Sequence, residues 1–99
     1  MIKIKIARDK NGISLISMHG HAEYDQYGKD IVCSAASTII IGGINAIAQL
    51  GYLSFISYKV DAGDVELEIN NTKCAELQII LNTLLVQFQS IDESYPKNI

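Results

Sequence analysis

The chain has 99 residues, a formal charge of −3 at pH 7 and 48% hydrophobic side chains. That is enough for one compact domain over 1–99 with a real core, and not for two. The eight cations among these residues are scattered rather than clustered, which excludes a general nucleic-acid binder, because phosphate contacts need grouped Lys and Arg.

In chain order, Ile2, Ile4 and Ile6 alternate with charged residues, the pattern of a half-buried strand. "DKNG" at 9–12 carries the Asn-Gly signal of a tight hairpin. Ile13–Met18 reads as the returning strand, with Leu15 and Ile16 side by side pointing to a bulge or to burial on both faces. Residues 21–30 lack apolar periodicity and read as a mobile loop. Asp30 stands where a helix N-cap is expected, the helix runs from about Ile31 to Leu50, and Gly51 stops it. Gly42 and Gly43 sit inside that helix, at a cost of about 1 kcal/mol each relative to Ala. They therefore point to the close approach of another helix or of a second subunit. Leu53–Val60 predicts a third strand, "DAGD" at 61–64 a turn and Val65–Ile69 a fourth strand. Asn71 or Thr72 is placed to cap a second helix, whose apolar face is Leu77, Ile80, Leu81, Leu84, Phe88 and Ile91. The expected fold is α+β: a two-layer ββαββα sandwich, with a four-stranded mixed sheet and two helices on one face.

From Ile31 to Tyr58 no residue is charged, a run long enough to cross a bilayer. Its Ser, Thr, Asn and Gln content and the break at Gly51 favour a buried helix followed by a buried strand, so no membrane is expected. The N-terminus has no continuous apolar segment of a signal peptide. Two unpaired thiols, Cys33 and Cys74, then suit a cytoplasmic location.

The chemistry concentrates in "GHAEYDQYGKDIVCSAAS" at 20–37. Cys33 falls near the third position of the first helix, where unpaired N–H groups and the helix dipole favour a thiolate. His21 comes off a strand end, and the intervening loop is long enough to bring its imidazole to the sulfur as general base and acid. Backbone amides near Cys33 and Ser34 are candidate oxyanion donors. Asp30 either caps the helix or orients the histidine. Other readings of these residues stand beside this one. Cys33 can be a small buried hydrophobe. His19, His21 and Cys33, with Asp25 or Asp30, can hold zinc, although the spacing matches no common site. Tyr24 and Tyr27 can contact a substrate or simply belong to a loop. Cys74, at the start of the second helix, has no histidine near it in sequence.

The stretch also resembles the signature of the bacterial ribosomal-processing cysteine protease family. Gly-His-Ala, a short loop, Gly-x-Asp-Ile-Val-Cys and a following Ser are all present, as Gly20, His21, Ala22, Gly28, Asp30, Ile31, Val32, Cys33 and Ser37. Where the family often has Ala-Ala-Val-Ser after the cysteine, this chain has Ser34-Ala35-Ala36-Ser37. The rest of the chain fits more loosely, down to Tyr95-Pro96 near the end. The resemblance implies a cytoplasmic homodimer, joined through helices, with no metal or cofactor. It implies a His21–Cys33 dyad, supported by Gly20, Asp30, Ser34 and Ser37. A loop bearing Tyr24, Tyr27 and Gly28 would close over the substrate. The implied reaction removes the N-terminal extension of large-subunit ribosomal protein twenty-seven, at adjacent phenylalanines before a small residue. A non-catalytic dimeric module that binds a ribosomal protein or an assembly intermediate is the rival reading.

Overall fold

The computed structural model describes residues 2–20, 29–61 and 63–94. Of the loop expected over 21–30, residues 21–28, with His21, Tyr24, Tyr27 and Gly28, lie outside these residues, as does the closing segment 95–99, and residues 29 and 30 belong to the first helix. The elements are β1 (Lys3–Asp9), β2 (Gly12–His19), α1 (Lys29–Gln49), a 3-10 turn (Leu53–Phe55), β3 (Ile56–Asp61), β4 (Asp64–Ile69) and α2 (Ala75–Ser94). This is the α+β sandwich that the sequence predicts.

Asp9 makes the first hairpin. Its Oδ1 accepts the N–H groups of Asn11 at 2.7 Å and Gly12 at 3.1 Å, a side chain closing the turn that the backbone would otherwise close. The bulge falls at Ser14: Ala7 pairs with Leu15 and Arg8 with Ile13, so one residue of β2 has no opposite number. Such an insertion inverts the alternation. That is why Ile13 and Ile16, three apart, are both buried.

The strand order is β1-β2-β4-β3, and every neighbouring pair is antiparallel. The sheet is therefore not mixed, as the sequence reading had it. The crossover through α1 does make β2 and β3 parallel, but β4 inserts between them and is antiparallel to both. Two rows cross the helix-facing side, Ile4–Met18–Val65–Val60 and Ile6–Ile16–Leu67–Tyr58. Lys5, Ser17, Glu66 and Lys59 form a row on the open side.

Each helix buries one stripe. Val32, Ala36, Ile40, Ile44 and Ile47 of α1 are buried, as are Leu77, Leu81, Leu84 and Phe88 of α2. Each large apolar side chain so buried contributes about 1.5–3 kcal/mol. By length and composition, Ile31–Gln49 could cross a membrane. Its stripe of Val32, Ala36, Ile40, Ile44 and Ile47 packs into the core. Gly51 ends α1 as expected: at φ 98° its N–H donates to Ala48 O, and the Tyr52 N–H donates to Ile47 O at 2.9 Å.

Three boundaries differ from expectation. Residues 53–55 form a 3-10 turn rather than the start of β3, with the Phe55 N–H donating to Tyr52 O at 3.0 Å while the chain turns from helix to strand. Neither Asn71 nor Thr72 caps α2. Asn71 Oδ1 accepts the Lys73 N–H, and the Thr72 hydroxyl donates to Asp9 at 2.7 Å. The helix opens instead at Cys74, whose carbonyl accepts the Gln78 N–H at 3.0 Å. Asp30 lies inside the first turn of α1, since the helix begins at Lys29, and so is not its N-cap.

Candidate active site

A cavity of about 370 Å³ opens between the N-terminal half of α1 and one end of the sheet. Cys33, Ser37 and Ile41 line it from the helix, successive positions four apart on one face. Met18, Val60 and Val65 line it from the strands, with Ile2, Gly20, Asp61 and Gly63 at the strand ends. The Gly20 N–H donates to Gly63 O at 3.0 Å, which ties the end of β2 to the start of β4 at this wall. Cys33 is a free, half-buried thiol set beside apolar surface. The site thus offers a thiol next to space for an apolar side chain.

The structure gathers some of the expected site residues and separates others. Cys33, Ser37 and Gly20 share the cavity. Ser34 is exposed, and its carbonyl accepts the Thr38 hydroxyl at 2.8 Å. With α1 starting at Lys29, Cys33 is its fifth residue, so the amides of Cys33 and Ser34 bond to the carbonyls four residues back. They are not the free oxyanion donors of the sequence reading. The Cys33 side chain nevertheless leans toward the helix start, as helical side chains do. His21, Tyr24, Tyr27 and Gly28 lie outside the described residues, and of Asp30 only the backbone is described.

His19 belongs elsewhere. It is on the open side of the sheet, its Nδ1 2.6 Å from Asp64 Oδ1, whereas Cys33 lies on the helix side. That separates His19 from Cys33, both of which the zinc reading needs. Among the described residues no three His, Cys, Asp or Glu side chains gather as metal ligands. Cys74 lies outside the cavity, with its thiol 3.4 Å from Glu76 Oε2.

Sequence reasoning missed Met18, Val60, Val65 and Ile41 as site residues. Each reads as ordinary core in a strand or helix, and only the cross-strand register Met18↔Val65↔Val60 assembles them beside Cys33.

The comparisons agree with this arrangement. The family model described as "Cysteine protease Prp" matches residues 1–99. The ribosomal processing cysteine protease Prp of Staphylococcus aureus is 38% identical to the chain, covering 100% of it and 95% of the relative. A crystal structure of Prp from S. aureus in complex with a substrate peptide superimposes with a TM-score of 0.90 at 35% identity, covering 100% of this chain and 95% of that one. A second, with a covalently linked product peptide, gives 0.84 at 36% identity with the same coverage. These matches favour the enzyme over the non-catalytic module. A full-length family match, close structural superposition and a free cysteine in an apolar cavity converge on one conclusion: the chain belongs to the Prp family and is a cysteine protease.

Proposed function

We propose that the enzyme removes the N-terminal extension of large-subunit ribosomal protein twenty-seven, with Cys33 as nucleophile and His21 as general base and acid. The observation that carries the dyad is that Gly20, the residue before His21, and Cys33 line one cavity. The Cys33 thiolate attacks the scissile carbonyl carbon, forming a C–S bond and an oxyanion. The His21 imidazolium then gives its proton to the amide nitrogen as the C–N bond breaks, and the C-terminal product leaves. Water, deprotonated by His21, hydrolyses the thioester and returns the thiolate–imidazolium pair. No step calls on a metal or cofactor. Asp30 is left two roles, charge in the first helical turn or orientation of His21.

The apolar wall of Met18, Val60 and Val65 suits a phenylalanine next to the scissile bond. The S. aureus relative, itself crystallised with a covalently linked product peptide, supports nucleophilic chemistry. Homodimer formation is supported by an apolar groove between the helices, where Gly42 is exposed and no neighbour among the described residues lies within 4 Å of a Cβ placed on it. Ile79 and Val86 of α2, 68% and 58% exposed, extend the same surface. The two free cysteines suit a cytoplasmic location.

Incubation with a peptide copying the N-terminus of the ribosomal protein tests the reading. Cleavage is expected from the wild-type chain, with at least a 10³-fold loss in Cys33→Ala and in His21→Ala. Undiminished cleavage by either variant removes that residue from the dyad.

A further inference from the structure

The two edges of the sheet are protected differently. β1 carries Lys3, Lys5 and Arg8, and its ladder with β2 slips between Ala7 and Arg8. Cations and a bulge are what keep an edge strand from pairing with other chains. β3 has an unbroken register, no proline and one lysine. That lysine, Lys59, lies on the open side with its Nζ 3.6 Å from Asp61.

Two hydrogen bonds establish which peptide groups of β3 have no partner strand among the described residues. The Asn70 N–H donates to Phe55 O at 2.7 Å. In an antiparallel ladder, pairs that exchange hydrogen bonds alternate with pairs that do not. Along the register Ile56↔Ile69, it follows that Ser57, Lys59 and Asp61 turn their backbone groups toward β4. The bond from Gly20 N–H to Gly63 O gives the same phase from the other side. It commits Gly63, Val65 and Leu67 to β2 and leaves Asp64, Glu66 and Glu68 for β3. Among the described residues the N–H and C=O groups of Tyr58 and Val60 therefore point outward, whereas the Ile56 N–H is already bonded to Leu53 O. The side chains of Tyr58 and Val60 lie on the helix side but stay 54% and 46% exposed, and Val60 and Asp61 are walls of the Cys33 cavity.

We propose that the peptide substrate binds as a fifth strand on β3, its backbone hydrogen-bonded to Tyr58 and Val60 and its alternate side chains laid over them toward Cys33. This rests on the protease reading and adds the mode of recognition. An extended peptide is the occupant because the free edge runs without interruption into the cavity that holds the nucleophile. Strand addition draws affinity from the backbone and selectivity from pockets under alternate side chains. Here the cavity is such a pocket, and the intervening side chains fall on the open face beside Ser57 and Lys59.

The test uses Cys33→Ala protein and the ribosomal-protein peptide, with each peptide residue N-methylated in turn. Affinity is expected to fall about tenfold at every second residue, where an N–H faces β3, and to stay level between. Amide exchange at Tyr58 and Val60 slows on binding, while Ser57 and Lys59, already bonded to β4, do not change. Val60→Pro removes one outward donor, a change tolerated on an edge, and weakens the unmodified peptide by a similar factor. Should that variant fail to fold, the methylation series still decides. A flat series, or unprotected Tyr58 and Val60 amides, overturns the proposal. Protection that rises with protein concentration in the absence of peptide also overturns it, marking a second copy on this edge. Cleavage by the wild-type chain is read separately. A period-two series without turnover removes the proposed reaction and keeps the edge; turnover with a flat series does the reverse.

Discussion

Gly42 and Gly43 are neighbours on α1 and meet opposite surroundings. A Cβ on Gly43 would lie 2.6 Å from Leu84 Cδ1 and 2.8 Å from Cδ2, so this glycine is what lets α2 approach. A Cβ on Gly42 would meet nothing within 4 Å among the described residues. Gly43→Ala is therefore expected to lower stability by about 1–3 kcal/mol through overpacking. In an isolated protomer Gly42→Ala should raise it by up to about 1 kcal/mol, through helix propensity alone. Denaturant titration of both variants checks the contrast, and equal effects would contradict it. The pair of glycines announced a close approach in the sequence. Which one was crowded, and by what, depended on the rotation of α1 about its axis, which no residue type states. Cys33 shows the same division. Its type and its place near a helix start were legible, but its offset from that start was not. Two residues of difference bring its amide into the helical hydrogen-bond ladder.

At the scale of elements, the first hairpin is fastened to the second half of the chain by side chains. Gln78 acts as a detached peptide group: its Oε1 accepts the Ile13 N–H at 2.8 Å and its Nε2 donates to Ile13 O at 2.9 Å, at the end of β2 that β4 does not reach. Thr72 donates to Asp9 Oδ2 at 2.7 Å. That bond is the main reason the Asp9 carboxyl sits below its ordinary value of 3.8, with help from the Asn11 N–H. A carboxyl whose pKa is lower in the folded state adds stability above its unfolded value, and that stability disappears as the pH falls through the folded one. The stability deficit of Thr72→Val against wild type is thus expected to hold steady near neutrality and to shrink below pH 3.8. Thermal melts across the acid range measure it, and a deficit independent of pH would contradict the bond. The sequence reading assigned Asn71 or Thr72 to the cap of α2 because a hydroxyl or amide just before an apolar stripe is the usual signal. Asp9 lies 63 positions from Thr72 in sequence, so local pattern could not show that it was the competing partner.

For the whole molecule, the exposed apolar groove over Gly42 sets the expectation for assembly. Gly42→Arg should raise the dissociation constant of the proposed homodimer at least tenfold, read by sedimentation equilibrium. A wild-type chain that sediments as a monomer at micromolar concentration would rule the dimer out. Alternation in the strands, the 3–4 spacing of α2, the Gly51 stop and the motif at 20–37 were all determined by the sequence itself. Each expresses a local rule of backbone geometry or of chemistry at neighbouring positions. What only the tertiary structure decided is where strands lie beside one another. Insertion of β4 between β2 and β3 made every pairing antiparallel, placed Met18, Val65 and Val60 in one row beside Cys33, and left β3 as an edge strand among the described residues. Strand order and register come from long-range packing of the two ββα halves against a common core, and that choice is written in no single segment of the chain.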